Sequence, residues 1–158
     1  MRIGIGYDVH RFQEGRPLVL GGVLIPGERG LGGHSDADVL LHAVTDAVLG
    51  AAGLGDIGQH FPPGDPAYKD AASSRLLARA MEMVHQAGYR LESVDATLIA
   101  ERPHLAPYMA AMRQGLAAAL GADAGQVSVK ATTSEGLGAL GRGEGIAAIA
   151  VALLAERP

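Results

Sequence analysis

Cysteine and tryptophan are missing from this 158-residue sequence, and only two phenylalanines and four tyrosines supply aromatic surface. Without cysteine there is no disulfide frame and no thiolate metal site, so a bound cation must be held by nitrogen and oxygen, and a reducing cytoplasm suits the chain. Basic residues are few and scattered, 13 against 17 acidic for a net charge of −4, which argues against a nucleic-acid-binding surface. No apolar stretch is long and unbroken enough to span a bilayer, so no membrane partner is expected. The first alternating segment begins at Arg2, and no signal or transit peptide is expected ahead of it. What is plentiful is small: 23 glycines and many alanines in a chain that is 48% hydrophobic. Residues 1–158 read as one domain, long enough to bury a core without staples. A core of small side chains is thin, however, and gains from burying further area against copies of itself.

The coarse pattern is a mixture of strands and helices. A strand is expected over residues 2–11, then two short strands over 18–25 around Gly21-Gly22, a hairpin signal. Residues 26–33 form a glycine-rich connection, expected to be mobile until substrate arrives. An amphipathic helix follows over 37–49, and a long loop with repeated turn signals over 53–66. A second helix is expected over 67–87, burying Leu76, Leu77, Ala80, Met81 and Val84 and stopped by Gly88. Then come a strand over 91–100, a third helix opened by Pro103 and Pro107 and ended by Gly121, and a strand over 126–132. Residues 133–145 read as a loop with at most one helical turn. The segment 146–154 permits a helix through its alanines, but Ile146, Ile149 and Val151 fit a buried strand that would complete a mixed sheet.

Two constellations could carry chemistry. In Ile3-Gly-Ile-Gly-Tyr-Asp-Val-His10 the period of a strand turns Asp8 and His10 to one face. In His34-Ser-Asp-Ala-Asp-Val-Leu-Leu-His42, Ser35 and Asp36 read as helix caps, which puts His42 in the second helical turn. One strand and one helix could thus bring an aspartate and two histidines together, the composition of a zinc site with an open position. Asp38 and Asp46 lie one turn either side of His42, and either could orient its ring or simply be a capping or solvated carboxylate. His34 and Ser35 precede the helix, where free N–H groups favour phosphate. The second constellation is Lys130-Ala-Thr-Thr-Ser-Glu-Gly136, leading to Gly141-Arg-Gly-Glu-Gly145. Its hydroxyls could donate to phosphate oxygens and Glu135 could help hold Mg²⁺, or the stretch is an ordinary polar loop.

Taken together and in order, Gly6-Tyr-Asp-Val-His10, the 34–42 stretch, Leu54-Gly-Asp-Ile-Gly58 and Gly141-Arg-Gly-Glu-Gly-Ile-Ala147 resemble the 2-C-methyl-D-erythritol 2,4-cyclodiphosphate synthases, over residues 2–154. That resemblance implies a single α+β domain, a four-stranded mixed sheet with helices on one face plus a short β-hairpin, in a homotrimer with active sites between subunits. It implies zinc on Asp8, His10 and His42, and Mg²⁺ or Mn²⁺ on Glu135 with the substrate phosphates. His34 and Thr133 become the catalytic groups. The substrate, a cytidine diphosphate derivative, would touch Asp8, His10, His34 and Ser35, and its sugar Asp56, Ile57 and Gly58. The methylerythritol portion would meet Phe61, Pro62, Pro63, Gly64 and Asp65. Nucleotide contacts would come from Ala100, Glu101, Arg102, Pro103, His104, Leu105 and Ala106, with Ala131, Thr132, Thr133, Ser134 and Glu135, and further contacts from Ala139 and Arg142.

Some positions depart from the family pattern. Pro63 and Gly64 stand where Asp-Thr is frequent, His104 where lysine is frequent, and Ala139 where phenylalanine is frequent. Two other functions fit the spacing alone. One is a zinc phosphohydrolase that activates water at the open position. The other is a non-catalytic nucleotide-binding trimer with a closed four-ligand ion site, completed by His34 or Asp38.

Overall fold

Alternation along the first strand sets the architecture. In the computed structural model, which describes residues 1–27 and 29–158, β1 (Arg2–Gln13) shows Ile3, Ile5, Tyr7 and Val9 on an exposed face. Gly4, Gly6, Asp8 and His10 occupy the other face. The two glycines have a clear purpose. A Cβ at Gly6 would stand 1.9 Å from the Ala43 carbonyl oxygen, and one at Gly4 2.1 Å from that of Ala47. Both carbonyls belong to α1 (Val39–Ala52), so the bare strand backbone lets this helix lie directly on it. Eleven of the fourteen α1 residues are buried, which makes it the centre of the core.

After β1, the expected hairpin forms from β2 (Leu18–Leu20) and β3 (Val23–Ile25). β4 (Gly30–Leu31) was not expected; it pairs with Phe12 and Gln13 at the sheet edge. The connection 26–33 therefore contains a strand, while Glu28 within it lies outside the described residues. β5 (Tyr89–Ile99) and β6 (Val127–Thr132) run parallel, joined by α4 (Met109–Leu120). β7 (Gly145–Glu156) lies between β1 and β5, antiparallel to both. The order is β4-β1-β7-β5-β6, five strands where four are expected. The additional strand is only two residues long and carries no alternation that a sequence pattern could reveal.

The choice of strand for residues 146–154 holds. Ile146, Ala148, Ala150, Ala152 and Leu154 are fully buried towards the helices, while Ile149 and Val151 emerge on the open face with the apolar residues of β1. Alanine blurs the signal because it suits the crowded centre of a sheet under close-packed helices as readily as it suits a helix.

Three helix boundaries differ from expectation. α1 begins at Val39, with Asp38 as its N-cap and Leu41 N–H donating to the Asp38 carboxylate, so His42 sits in the first turn. α3 is Ser73–Gln86, six residues later than its expected start, because residues 66–72 are used to bind the 34–36 loop. Asp70 N–H donates to the His34 carbonyl and Asp36 N–H to that of Ala71. Pro103 does not open the third helix; a 3₁₀ turn over Ala106–Tyr108 precedes α4. The 53–66 loop contains α2 (Ile57–His60), and the 133–145 loop the single turn α5 (Gly138–Gly141). Among the described residues, no helix is long and apolar enough to cross a membrane.

Candidate active site

Asp8 and His10 project from β1 under the first turn of α1, where His42 meets them. Asp8 Oδ2 lies 2.9 Å from His10 Nε2 and 3.0 Å from His42 Nδ1, and the two ring nitrogens are 3.3 Å apart. Around a tetrahedral zinc with bonds of 2.0–2.1 Å, ligand atoms are separated by roughly 3.3 Å, so this set fits one cation after small movements. Among the described residues these three form the group able to hold a metal, and all three are half-buried. Neither His34 nor Asp38 closes the site. His34 Nε2 is 2.8 Å from the Asp65 carbonyl, and the Asp38 carboxylate accepts the N–H groups of Gly21, Gly22 and Leu41.

The second ring nitrogens explain how the donors are aimed. His10 Nδ1–H donates to the Gly32 carbonyl at 2.7 Å, leaving the Nε2 lone pair for the centre. His42 Nε2 faces Ser73 Oγ at 2.8 Å and Ser35 Oγ at 3.1 Å. Neither Asp38 nor Asp46 orients this ring: Asp38 ties α1 to the β2–β3 turn, and Asp46 accepts from Ile57 N–H at 2.7 Å. Ser73 carried no sequence signal, being 31 residues from His42 and hidden in an expected helix interior.

Electrostatics follow from this crowding. Burial alone would raise Asp8, but hydrogen bonds and charge from His10 and His42 hold its carboxyl far below the ordinary range. Burial depresses His10, yet its hydrogen bond to Asp8, the Asp8 charge and the Gly32 carbonyl together outweigh that and raise it. Asp46 is raised, chiefly by burial, despite its bond from Ile57. Burial also lifts Asp38, to about 6, against the pull of its backbone donors.

A cavity of about 230 Å³ opens over the triad, lined also by His34, Ser35, Ile57, Gly58, Phe61 and Pro63, together with Tyr68 and Leu76, which the motifs did not point to. Asp56 caps α2, and Asp65 meets His34 through its carbonyl and caps the following turn through its side chain. Pro62 and Gly64 do not reach the lining. A second cavity, about 480 Å³, gathers Ala100, Glu101, Pro103, His104, Leu105, Ala106, Ala131, Thr132 and Thr133 at the ends of β5 and β6. Met109, Val129 and Lys130 complete it. Its rim loop is folded by Glu101, whose Oε1 accepts Ser134 N–H at 2.8 Å, while Thr133 Oγ1 donates to Glu135 Oε1 at 3.0 Å. Arg102 stands apart from this cavity, in a hollow with Arg142, and Ala139 and Arg142 share another with His10 and Phe12.

The two cavities do not meet within one chain. Asp8 is level with Ala148, Leu98 and Ala131 across the sheet. Three strand steps of roughly 4.8 Å separate the triad strand from the hydroxyl-bearing one.

Fold and site thus define an α+β domain with an open, three-donor cation site and a separate pocket rimmed by hydroxyls and backbone N–H groups. The chain belongs to the YgbB family, whose model matches residues 1–155. It is 66% identical over 99% of its length to a 2-C-methyl-D-erythritol 2,4-cyclodiphosphate synthase of Moorella thermoacetica, covering 96% of that protein. Among solved structures, it superposes on a CDP complex of IspF from Plasmodium falciparum with a TM-score of 0.86 at 33% identity, covering 99% of this chain and 97% of that one. It also matches the bifunctional IspDF of Campylobacter jejuni, with a TM-score of 0.94 and 45% identity over 98% of this chain, of which it spans 42%.

Proposed function

We infer that this chain is a cyclodiphosphate synthase. It converts 4-diphosphocytidyl-2-C-methyl-D-erythritol 2-phosphate to 2-C-methyl-D-erythritol 2,4-cyclodiphosphate and CMP, in non-mevalonate isoprenoid synthesis. The observation that carries the reading is the open Asp8–His10–His42 group beneath His34 and Ser35, in a chain 66% identical to a protein of that name. The 2-phosphate oxygen attacks the β-phosphorus, the bond from that phosphorus to the bridging oxygen breaks, and CMP leaves with the bridging oxygen. Bound zinc on the triad and magnesium or manganese on Glu135 supply charge neutralisation at the crowded phosphates.

The remainder is positioning and electrostatics from the chain itself, since no protein nucleophile is needed. His34, fixed by its bond to the Asp65 carbonyl, and Thr133 stand as the groups that steady the pentacoordinate phosphorus. Ser35, Ile57, Gly58, Phe61 and Pro63 hold the methylerythritol phosphate, and the Glu101-braced loop holds the cytidine diphosphate. The CDP complex of the Plasmodium falciparum protein supports a cytidine nucleotide as ligand, and the second cavity, with its hydroxyls and backbone donors, is the place we assign to it.

Two features support the reading of a homotrimer. The triad and the nucleotide pocket lie three strand steps apart on one sheet and share no lining residue, so a neighbouring copy is the simpler way to bring the two together. The open sheet face also exposes Ile3, Ile5, Tyr7, Val9, Ile149 and Val151, an apolar patch that needs cover.

Phosphorus NMR of the protein with substrate, Zn²⁺ and Mg²⁺, and again with a chelator, tests the activity. Paired cyclic-diphosphate signals with CMP, lost on chelation, are expected. Inorganic phosphate would instead establish the hydrolase, and an unchanged substrate spectrum the binding module. Sedimentation at three chain masses is expected; a monomer would remove the shared site.

A further inference from the structure

Ser73 at the start of α3 is fully buried and touches no cavity over the triad. A buried hydroxyl has one proton to give, and its neighbours decide where it goes. Ser73 Oγ hydrogen-bonds Asp36 Oδ1, a carboxylate that can only accept, so the Ser73 proton is committed there. The same carboxylate accepts the N–H groups of Ser73 and Asp38, each at 3.0 Å, and so is fixed in orientation from both sides. Ser73 Oγ is then an acceptor towards His42 Nε2, 2.8 Å away. His42 thus carries a proton on Nε2, and Nδ1, 3.0 Å from Asp8 Oδ2, is the nitrogen whose lone pair goes to a cation that displaces the proton shared with Asp8. Ser35 alone does not impose this: its hydroxyl, 3.1 Å from Nε2, accepts Ala37 N–H but keeps a free proton that could be turned on the ring instead.

We propose that Ser73 and Asp36 are positioning residues that lock His42 in the tautomer able to bind a cation through Nδ1, so that the α3 N-terminus sets the strength of the metal site. The proposal rests on the reading of Asp8, His10 and His42 as that site. It also gives residues 66–72 a task. By holding Asp36 and His34 through the Ala71 carbonyl and Asp70 N–H, this strap delivers Ser73 to the ring and secures the His34 backbone in one step. Removing Ser73 leaves the ring to the Ser35 hydroxyl, which can donate to Nε2 as readily as accept from it, so the tautomer is no longer fixed.

The test uses zinc alone, with affinity read by chelator competition, and the ring N–H signal of His42 in the zinc-loaded full chain. In the wild type, zinc binds and the Nε2 proton exchanges slowly. Ser73→Ala is expected to bind zinc about 10- to 100-fold more weakly, the range for lost outer contacts to a metal-bound histidine, with faster exchange of the Nε2 proton and an unchanged circular dichroism spectrum. Should Ser73→Ala fail to fold, Asp36→Asn carries the test, with a weaker site and the same change in exchange expected. Unaltered zinc affinity and exchange in the folded variant would overturn the proposal while leaving the metal site standing. A wild type that takes up no zinc would overturn the metal reading, and this inference with it.

Discussion

At the triad corner, buried side chains hold one another: Ser73 and Asp36 fix His42, the Gly32 carbonyl fixes His10, and Asp8 lies between two rings. At the other end of the sheet, residues 131–136 are largely exposed, and a single carboxylate, Glu101, gathers the N–H groups of the loop. The difference matches what each end has to hold. A small cation demands ligand atoms within tenths of an ångström, whereas a nucleotide diphosphate is long, flexible and satisfied by backbone donors. Rigidity is concentrated at the corner, and adaptability at the loop.

The strongest way to break this comparison is to remove the corner's own donor. His42→Ala should abolish cyclisation and weaken zinc binding at least about 100-fold, more than any loss of an outer partner. Nucleotide affinity should fall far less, because the second cavity holds the cytidine end and only the phosphates reach the triad of a neighbouring copy. Steady-state assays and calorimetry with CDP check both halves, and equal damage to both sites would show that the two ends are not independent.

The same contrast governs what could be read in the sequence. Asp8, His10 and His42 were legible because strand and helix periods aim side chains predictably, and Gly4 and Gly6 extend that alternation to a face on which α1 can lie. The strand character of β7 was legible once its isoleucines and valine were given weight over its alanines. Ser73 was not, because nothing local marks a serine whose partner is 31 residues away and whose helix starts late. β4 was hidden for a different reason: two residues cannot show a period. The exchange of roles among Asp36, Asp38 and Asp46 was equally hidden. All three suit caps and turns, and only the fold decides that Asp38 caps α1, Asp36 receives Ser73, and Asp46 receives Ile57.

A smaller effect tests the loop. Glu101→Ala removes the acceptor for Ser134 N–H and Gly136 N–H, bonds to a charged group worth about 1.5–3 kcal/mol when lost. Part of that loss is recovered by water at this half-exposed position, so a rise of about tenfold in the dissociation constant for CDP is expected, equivalent to about 1.4 kcal/mol. Zinc affinity should not move. If zinc binding falls instead, the loop and the corner share their rigidity and the contrast fails.

The smallest effect concerns the ion pair beside the nucleotide cavity. Lys130 Nζ lies 2.6 Å from Asp95 Oδ1, and both side chains are more than half exposed. The hydrogen bond from Lys130 holds the Asp95 carboxyl below its ordinary value. A group depressed on folding adds stability above its unfolded pKa, and that stability drains away as pH falls through the folded pKa. Asp95→Asn should therefore flatten the acid side of the stability curve below about pH 4, where the wild-type carboxylate begins to take up protons. Solvent screens the pair, so the change at neutral pH should be no more than about 0.5 kcal/mol, read as a melting temperature nearly equal to wild type. A large loss at neutral pH would mean that this pair is shielded from water in the assembled protein. The nucleotide end would then be braced by buried charge after all, as the triad corner is.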